Sequence, residues 1–459
     1  MNGNVNEKIA DIFRAYDIRG IFPKQLNEEI AFIIGKAFAN TITSGTSVAV
    51  ARDVRSSSMA IHKALCEGIT IRGVNVIDLG EVPSPLLYFN THNLRLAGGA
   101  MVTASHLPPN WNGIKFCDSR GIVVSSGTGL ELIKETVLTK EINAVKIGVV
   151  NFYKNGIIDY VKYIVKKIHL GRKLSIVVDY GNSVTANVVP LILEELGVNF
   201  KQINTNQGNF KRSSELTPDS LDELRRVVIN NGSDLGIAYD ADGDRVGFVD
   251  NLGNVYPNGE KIIPIFAEDA LAKSKGDIII DVTCSSAISK FISEKGGTPI
   301  VIRVGHSYCA NEVLNRGALF GAQYSGHYSF PEMGCADDAI FASLKMIEIL
   351  SNRDQRLSQI LASMPSSYIS KMVEVDCSDS AKFLVVSKIA SLAKKIGYGV
   401  EEIDGVKIHS MEDNSDWVLI RASNTSPIIR INADGKSKRS VEKLLSLGLN
   451  MVKDVRCND

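Results

Sequence analysis

Apolar residues along the chain fall into short runs that alternate with stretches at helical spacing. In the first third, apolar runs at 47–51, 74–79 and 96–102 surround two stretches of helical periodicity, at 57–72 and from Pro85 onward. Short apolar runs indicate buried strands, whereas apolar residues at i, i+3, i+4 and i+7 indicate helices that pack on them. The alternation predicts an α/β domain with a parallel or mixed sheet.

The same alternation of strand and helix signals returns twice further along the chain. The second set has predicted strands at 174–179 and 234–240 and predicted helices at 182–196 and 221–230. The third set has predicted strands at 276–282 and 299–304 and predicted helices at 285–294, 307–315 and 337–350. Recurrence at intervals of roughly a hundred residues indicates three similar mixed α/β domains in series.

The last segment has a different pattern. It contains predicted strands at 367–377, 416–423 and 427–433 and one predicted amphipathic helix at 381–396. Strands that outnumber helices predict a smaller C-terminal α+β domain. The expected divisions of the chain are 1–148, 149–251, 252–366 and 367–459.

Composition narrows the class of protein. The 459 residues include 51 lysines and arginines against 51 aspartates and glutamates, so a nucleic-acid partner, which needs a basic surplus, is not expected. No apolar stretch is long enough for a membrane span, and Glu7, Lys8 and Asp11 interrupt any signal-peptide core. Seven scattered cysteines without a C-x-x-C pair fit a reducing compartment. We expect a cytoplasmic protein, either a monomer or a homo-oligomer.

The strongest chemical signal is the run Asp240-Ala241-Asp242-Gly243-Asp244-Arg245, which follows a predicted buried strand. Three carboxylates at alternate positions of a turn can direct oxygen ligands at one hard cation such as Mg²⁺ or Ca²⁺. An EF-hand is excluded, because its sixth and twelfth positions would be Arg245 and Asn251. An acidic turn without metal is the remaining alternative. The cost of clustering three like charges favours the metal site.

Two further loops carry polar groups suited to phosphate chemistry. Ser105 lies in the loop 103–109, after a predicted buried strand, where α/β domains present nucleophiles and phosphate ligands. The loop 421–427 brings a guanidinium, hydroxyls and an amide between two apolar strands, which suits a bound phosphate. Taken singly, each loop is also compatible with an ordinary polar turn.

Taken in order, the three loops resemble those of the α-D-phosphohexomutase superfamily, which includes phosphomannomutases, phosphoglucomutases and phosphoglucosamine mutases. The superfamily's phosphoserine loop T-A-S-H-N-P with N-G-x-K, its metal loop D-x-D-G-D-R and its phosphate loop R-x-S-N-T-x-P match residues 103–108, 112–115, 240–245 and 421–427. Further matches lie at 13–20, 52–55, 304–306 and 325–327. The resemblance implies four domains around a central active-site cleft.

The resemblance implies an isomerase that interconverts hexose 6-phosphate and hexose 1-phosphate, with mannose and/or glucose as the sugar. Ser105 would carry a phosphoryl group, and a hexose 1,6-bisphosphate would be both intermediate and activator. Asp240, Asp242 and Asp244, with a phosphate oxygen on Ser105, would hold Mg²⁺. Lys115 and His306 would transfer protons. The implied phosphosugar-binding residues are Tyr16, Arg19, Arg245, Gln323, Ser325, His327, Arg421, Ser423, Asn424 and Thr425.

Two positions depart from the superfamily's pattern. Leu107 stands where the serine loop usually has Asn, and Gln323 stands where the sugar loop usually has Glu. Gln323 offers one carbonyl acceptor and two N–H donors in place of a carboxylate, so the contacts to sugar hydroxyls change. A phosphoglucosamine mutase with the same mechanism is therefore one alternative. A phosphatase and a non-catalytic phosphosugar-binding protein are the others, and the intact aspartates and Ser105 argue against the last.

Overall fold

The computed structural model describes residues 9–139, 147–423 and 426–457, and within them the chain forms four β-sheets with helices packed against them. Each sheet is formed by a consecutive stretch of chain. Three of the sheets mix parallel and antiparallel strands, and the last has only antiparallel pairs. The predicted fold class, three mixed α/β domains followed by a smaller α+β domain, is confirmed.

The first sheet has the order β1-β5-β4-β2-β3-β7, with β6 beside β5. The central strand Ser47–Arg52 has four consecutive buried residues, as expected of a strand that is covered on both faces. The strands are β1 (Ile18–Ile21), β2 (Ser47–Arg52), β3 (Asn75–Glu81), β4 (Gly98–Val102), β5 (Trp111–Asp118), β6 (Val123–Val124) and β7 (Val150–Phe152). The helices are α1 (Glu28–Asn40), α2 (Ser58–Thr70), α3 (Ser84–Asn93) and α4 (Leu130–Thr139).

The second sheet has the order β12-β11-β10-β8-β9. Its strands are β8 (Ser175–Asp179), β9 (Asn199–Ile203), β10 (Leu235–Tyr239), β11 (Val246–Asp250) and β12 (Val255–Tyr256). The accompanying helices are α5 (Gly156–Val165), α6 (Val189–Glu195) and α7 (Asp222–Asn231), and a 3₁₀ turn covers Val184–Asn187. The single helix expected at 182–196 is therefore wrong, because Pro190 lacks the N–H that would continue the hydrogen-bond ladder and instead lies in the first turn of α6.

The third sheet has the order β14-β13-β15-β16. Its strands are β13 (Asp277–Asp281), β14 (Thr298–Ile302), β15 (Phe320–Ala322) and β16 (Tyr328–Ser329). The helices are α8 (Ile263–Lys273), α9 (Ser286–Glu294), α10 (His306–Arg316), α11 (Ala339–Ser351) and α12 (Leu357–Ser363). Asp338 caps α11 by accepting a hydrogen bond from the backbone N–H of Phe341 at 2.8 Å.

The fourth sheet has the order β17-β22-β21-β20-β19, with β18 beside β22. Its strands are β17 (Tyr368–Ile369), β18 (Val373–Asp376), β19 (Val400–Glu401), β20 (Val406–His409), β21 (Trp417–Ala422) and β22 (Ile428–Gly435). Helices α13 (Lys382–Ile396) and α14 (Lys438–Cys457) cover one face. The long strand expected at 367–377 is two short strands here, and α14 was not predicted.

One large buried core joins the first three sheets. It contains aromatic and aliphatic side chains such as Tyr88, Tyr160, Phe266 and Phe341, all buried. A separate core lies between the fourth sheet and its helices, and Trp417 and Leu419 pack against Val282, the residue that follows β13. Strands β7 and β12 pair with the first and second sheets, so the expected divisions after 148 and 251 fall inside those sheets. No helix in the described part of the chain is long and apolar enough to cross a membrane.

Candidate active site

Loops from all four sheets meet at one cleft with a volume of about 530 Å³. The carboxyl end of a buried strand is where an α/β sheet presents functional loops, and β4 and β10 both end at this cleft. The sequence-predicted residues that line it include Ser105 and Lys115, Arg245, His306 and Gln323, and Arg421. The fold therefore brings residues more than 300 positions apart in sequence to one place.

Ser105 points its hydroxyl at the acidic loop of the second sheet. Its Oγ donates a hydrogen bond to Oδ2 of Asp240 at 2.8 Å, and its backbone N–H donates to Oγ1 of Thr103 at 3.0 Å. The backbone of Ser105 has a φ of 48°, in the left-handed region that a residue with a Cβ rarely adopts. Such strain persists only where the surroundings hold it, and it concentrates at functional sites.

Arg55 holds the serine loop in this conformation. Its guanidinium donates to the backbone carbonyls of Ser105 at 2.6 Å, Leu107 at 2.8 Å and Pro108 at 2.7 Å, and its Nε donates to Asp53 at 3.1 Å. The family resemblance includes residues 52–55 but implies no role for Arg55, because only the fold shows which carbonyls its guanidinium reaches. Because the contact to Leu107 is made through its backbone, Leu in place of Asn leaves this support intact.

Asp240, Asp242 and Asp244 follow β10 in a tight turn, and all three are buried. One carboxylate oxygen from each lies within 4.8 Å of the others. Gly243 permits the turn with a φ of 72°, and a Cβ there would lie 2.7 Å from Thr185. The acidic triple of the sequence is therefore a real cluster in space.

The donor set fits a hard cation. Among the described residues, the buried Oδ1 of Asp242 has no hydrogen-bond partner, and the buried Oδ1 of Asp244 has none beyond the ion pair with Nε2 of His327 at 3.6 Å. The other oxygens are held by Lys115, whose Nζ donates to Asp242 at 2.7 Å and to Asp244 at 2.6 Å, and by Ser84, which donates to Asp242 at 2.7 Å. Buried oxygens without partners are costly, and an all-oxygen set is what Mg²⁺ prefers.

The charges of this cluster are strongly coupled to one another. Burial and the neighbouring carboxylates of Asp244 and Asp242 raise the pKa of Asp240 well above its usual value. Burial would also raise the pKa of Asp244, but Lys115, His327 and Arg245 hold it well below its usual value. Burial would lower the pKa of Lys115, but Asp242 and Asp244 outweigh it and raise that pKa well above the usual value. Lys115 is therefore a charged ammonium within the acidic cluster.

Two histidines face the cleft from the third sheet. Nδ1 of His306 lies 3.1 Å from Oδ2 of Asp337, and the rings of His306 and His327 stack at 5.6 Å between centroids. Burial would raise the pKa of Asp337, but its hydrogen bond with His306 and the charge of His327 lower it. Asp337 was read from the sequence only as a helix start, so its role as the partner of His306 was missed. Nδ1 of His327 lies 2.7 Å from the hydroxyl of Ser325.

Gln323 lies in the turn after β15, where its side chain is 2% exposed and lines the cleft. Its Nε2 is buried and has no hydrogen-bond partner in the described part of the chain. Across the cleft, Tyr16 donates its hydroxyl proton to the carbonyl of Val304 at 2.6 Å, and Nε of Arg19 donates to Asp17. An unpaired buried donor that faces a cleft is suited to a ligand acceptor.

Glu215 enters the cleft from the loop that precedes α7. Its carboxylate lies 3.5 Å from Arg245 and 3.5 Å from His106, and Nε of Arg245 donates to His327 at 3.4 Å. Burial and the positive charges of Arg245 and Arg19 lower the pKa of His106 well below its usual value. Glu215 was missed because nothing in its polar loop distinguishes it from a surface residue.

The fourth sheet contributes a basic loop. Arg421, on β21, lies directly opposite Arg430 on β22, and both line the cleft. Oγ of Ser423 accepts from the backbone N–H of Ser426 at 3.2 Å, and Lys382 donates to the carbonyl of Ser426 at 3.0 Å. Arg430 was not predicted from the sequence, although a charged residue within the apolar run 427–433 was an available signal. Two predicted ligands, Asn424 and Thr425, lie outside the described residues.

The sequence matches four domain families of known proteins, one after another along the chain. Profiles described as phosphoglucomutase/phosphomannomutase α/β/α domains I, II and III match residues 10–143, 158–253 and 258–368. A profile described as the phosphoglucomutase/phosphomannomutase C-terminal domain matches residues 372–446.

Individual relatives cover nearly the full length of the chain. A Pseudomonas aeruginosa protein named phosphomannomutase/phosphoglucomutase is 33% identical over 97% of this chain and 96% of its own. A Pyrococcus furiosus protein named probable phosphoglucosamine mutase is 32% identical over 96% of this chain and 97% of its own. A crystal structure of a phosphoglucomutase/phosphomannomutase family protein from Burkholderia thailandensis superposes with a TM-score of 0.89, at 28% identity over 97% and 98% of the two chains.

Proposed function

The chain belongs to the phosphoglucomutase/phosphomannomutase family of the α-D-phosphohexomutase superfamily, and on that premise we propose that it interconverts mannose or glucose 6-phosphate with the corresponding 1-phosphate. It is thus an isomerase of carbohydrate metabolism. The observation that carries the proposal is the hydroxyl of Ser105, 2.8 Å from Asp240 in a metal-compatible cluster that also holds Lys115.

Ser105 is proposed to carry a phosphoryl group and to exchange it with the sugar. In the forward half-reaction the bond from Oγ of Ser105 to phosphorus breaks as a free sugar hydroxyl bonds to that phosphorus, which yields a hexose 1,6-bisphosphate. The second half-reaction returns the other phosphoryl group to Ser105. Mg²⁺ held by Asp240, Asp242, Asp244 and a phosphate oxygen on Ser105 would neutralise charge on the phosphoryl group during transfer.

Lys115 and His306 are the proposed proton-transfer groups. The ammonium of Lys115 is held beside the acidic cluster, where it can donate a proton to a leaving oxygen. The contact between Nδ1 of His306 and Asp337 orients the ring and leaves Nε2 as the free nitrogen. A base with this orientation can take the proton of the attacking sugar hydroxyl.

The non-reacting phosphate is proposed to bind at the basic loop of the fourth sheet. Arg421 is 5% exposed, and its Nε has no hydrogen-bond partner among the described residues. Arg430 lies beside it on the same face of the sheet. Ser423 and, by resemblance, Asn424 and Thr425 complete the clamp. A clamp that holds only phosphate accepts the sugar in either orientation, which the two half-reactions require.

The sugar ring is proposed to lie between the serine loop and the third sheet. Gln323 and Ser325 face it from the turn after β15, and Tyr16 and Arg19 face it from the first sheet. Arg245 and His327 lie between the acidic cluster and the sugar position. A phosphoglucosamine substrate is the second candidate, and the Pyrococcus furiosus relative favours it.

We place the protein in the cytoplasm. The six buried, free cysteines among the described side chains support this location, because free thiols persist in a reducing compartment.

A coupled mutase assay tests this proposal. The native chain would be supplied with Mg²⁺, a trace of hexose 1,6-bisphosphate and, in turn, the 1-phosphates of mannose, glucose and glucosamine. We expect turnover that ranks the sugars, loss of turnover in Ser105→Ala, and native turnover in Ser391→Ala, a matched change on the exposed face of α13. Release of inorganic phosphate in place of isomerisation would indicate a phosphatase, and inactivity with every sugar would refute the mutase.

A further inference from the structure

Three charged side chains form a row across the fourth sheet. Glu374 on β18 lies directly opposite Arg430 on β22, and Arg430 lies directly opposite Arg421 on β21. Residues directly opposite one another in antiparallel strands project from the same face of a sheet. All three side chains line the cleft. The row therefore places one carboxylate and two guanidinium groups at the wall where the non-reacting phosphate is proposed to bind.

The two arginines of the row repel each other. Like charges directly opposite in a sheet are destabilising, and burial together with the charge of Arg421 lowers the pKa of Arg430. Each arginine therefore has a carboxylate partner. Arg421 donates to Asp404 at 3.2 Å, and Arg430 donates to Glu374 at 3.1 Å. Glu215, on the opposite side of the cleft, adds a further negative charge that favours the charged form of Arg430.

The two carboxylate partners differ in how firmly they are held. The Asp404 side chain is 8% exposed, and its Oδ2 also accepts the backbone N–H of Val304 at 3.2 Å. The Glu374 side chain is 53% exposed, and its one recorded hydrogen bond in the described part of the chain is the one from Arg430. An exposed ion pair with a single hydrogen bond is weak. An arriving phosphate can displace the carboxylate of Glu374 far more easily than that of Asp404.

We propose that Glu374 is an internal counter-ion that occupies Arg430 in the free protein and gives way to the substrate phosphate. This inference rests on the proposed function, because it assigns Arg421 and Arg430 to the phosphate clamp. Glu374 neutralises the second arginine between turnovers, and phosphate binding replaces one anion by another at Arg430. The exchange weakens phosphate binding and so aids release of the product, without a contact between Glu374 and the reacting atoms.

Isothermal titration calorimetry of the metal-free 459-residue protein with inorganic phosphate measures the phosphate affinity without turnover. We expect Glu374→Gln to bind phosphate about two- to five-fold more tightly than the native chain, because an exposed ion pair no longer has to be broken. The matched control is Glu412→Gln. This change removes the negative charge of an exposed ion pair that Glu412 forms with a lysine, and Glu412 does not line the cleft. The control should bind phosphate as the native chain does.

A double-mutant cycle separates the ion pair from general electrostatics. In an Arg430→Met background, Glu374→Gln should change the phosphate affinity no more than Glu412→Gln does. The reason is that the ion pair between Glu374 and residue 430 no longer exists. Equal effects of Glu374→Gln in both backgrounds, or no difference from the control, would overturn the inference while leaving the mutase proposal intact. If Arg421→Met leaves phosphate affinity unchanged, the phosphate clamp itself is wrong, and this inference is wrong with it.

Discussion

Gln323 is the residue at which the cleft departs from the pattern of the superfamily. Its amide nitrogen is buried against the cleft with no partner in the described part of the chain, so the free protein bears a desolvated donor. Leaving such a donor unpaired costs about 1–3 kcal/mol, and a hydroxyl or other acceptor on the sugar would recover part of it. On the proposed function, stability and sugar binding are therefore opposed at this position.

Gln323→Met should separate these two effects. The apolar side chain removes the unpaired donor, so the melting temperature should stay the same or rise. Loss of the sugar contact should lower kcat/KM about 2- to 10-fold, as expected for one hydrogen bond worth about 0.5–1.5 kcal/mol. Differential scanning calorimetry and the coupled assay measure the two effects. Gln202→Met, an exposed change on β9, should alter neither, and native kcat/KM in Gln323→Met would show that the amide does not touch the sugar.

At the scale of an element, the serine loop depends on Arg55. Arg55→Lys keeps a positive charge beside Asp53 but cannot reach three carbonyls at once, because an ammonium lacks the planar fork of the guanidinium. The strained backbone of Ser105 should relax, and misplacement of a nucleophile by about 1 Å costs about 100-fold in rate. We expect kcat to fall by about that factor while KM changes much less.

Chemical rescue distinguishes this positioning role from a general loss of stability. Added guanidinium ion at low millimolar concentration should restore part of the activity of Arg55→Ala, because it can occupy the vacated position. Arg120 forms an exposed ion pair with Asp118 and provides the matched controls. Arg120→Lys should keep the native kcat, and Arg120→Ala should not respond to added guanidinium. Native kcat in Arg55→Lys would mean that the loop holds its own conformation.

The carboxylate that caps α11 makes the free energy of unfolding depend on pH. Asp338 caps this helix and accepts hydrogen bonds from Tyr160, and burial raises its pKa to about 7. The unfolded carboxyl titrates near pH 4, so between about pH 4 and 7 the folded state binds more protons than the unfolded state. Stability should therefore fall as the pH rises through this window, with a slope of up to about 1.4 kcal/mol per pH unit from this group.

Asp338→Asn should remove this slope, because the amide keeps the cap acceptor and does not titrate. Urea unfolding followed at pH 5, 6 and 7 for the native chain and the variant measures the difference. Asp354→Asn, outside this cap, serves as the control and should keep the native slope. An identical pH dependence in Asp338→Asn and the native chain would contradict the raised pKa.

The elements that the sequence predicted best are those whose pattern is local. Buried strands such as β10 and helices such as α2 carry their apolar periodicity within one short window, so their positions were predicted to within a few residues. The helix expected at 182–196 is wrong because Val188 and Pro190 interrupt it. The antiparallel strand β5 was not predicted, because its buried Asn112 and Lys115 are polar and owe their burial to partners on other elements.

At the scale of the whole molecule, the cleft is a property of four sheets that no single segment shows. Motifs predicted the acidic triple, Ser105 and Arg421, because those residues are adjacent to recognisable neighbours in sequence. Asp337 and Arg430 acquire their roles only from contacts across the fold, with His306 and with Arg421 respectively. Sequence spacing holds no information on such contacts. On the proposed function, this assembled cleft transfers a phosphoryl group to and from Ser105.

Mass spectrometry of the intact protein and its peptides, before and after incubation with glucose 1,6-bisphosphate and Mg²⁺, detects phosphoryl transfer to Ser105 without a turnover assay. We expect a gain of one phosphoryl group located on Ser105, its loss when hexose phosphate is added, and no gain in Ser105→Ala. Absence of phosphate on Ser105 under these conditions, or its appearance on another residue while the sugar is isomerised, would refute the proposed phosphoserine mechanism.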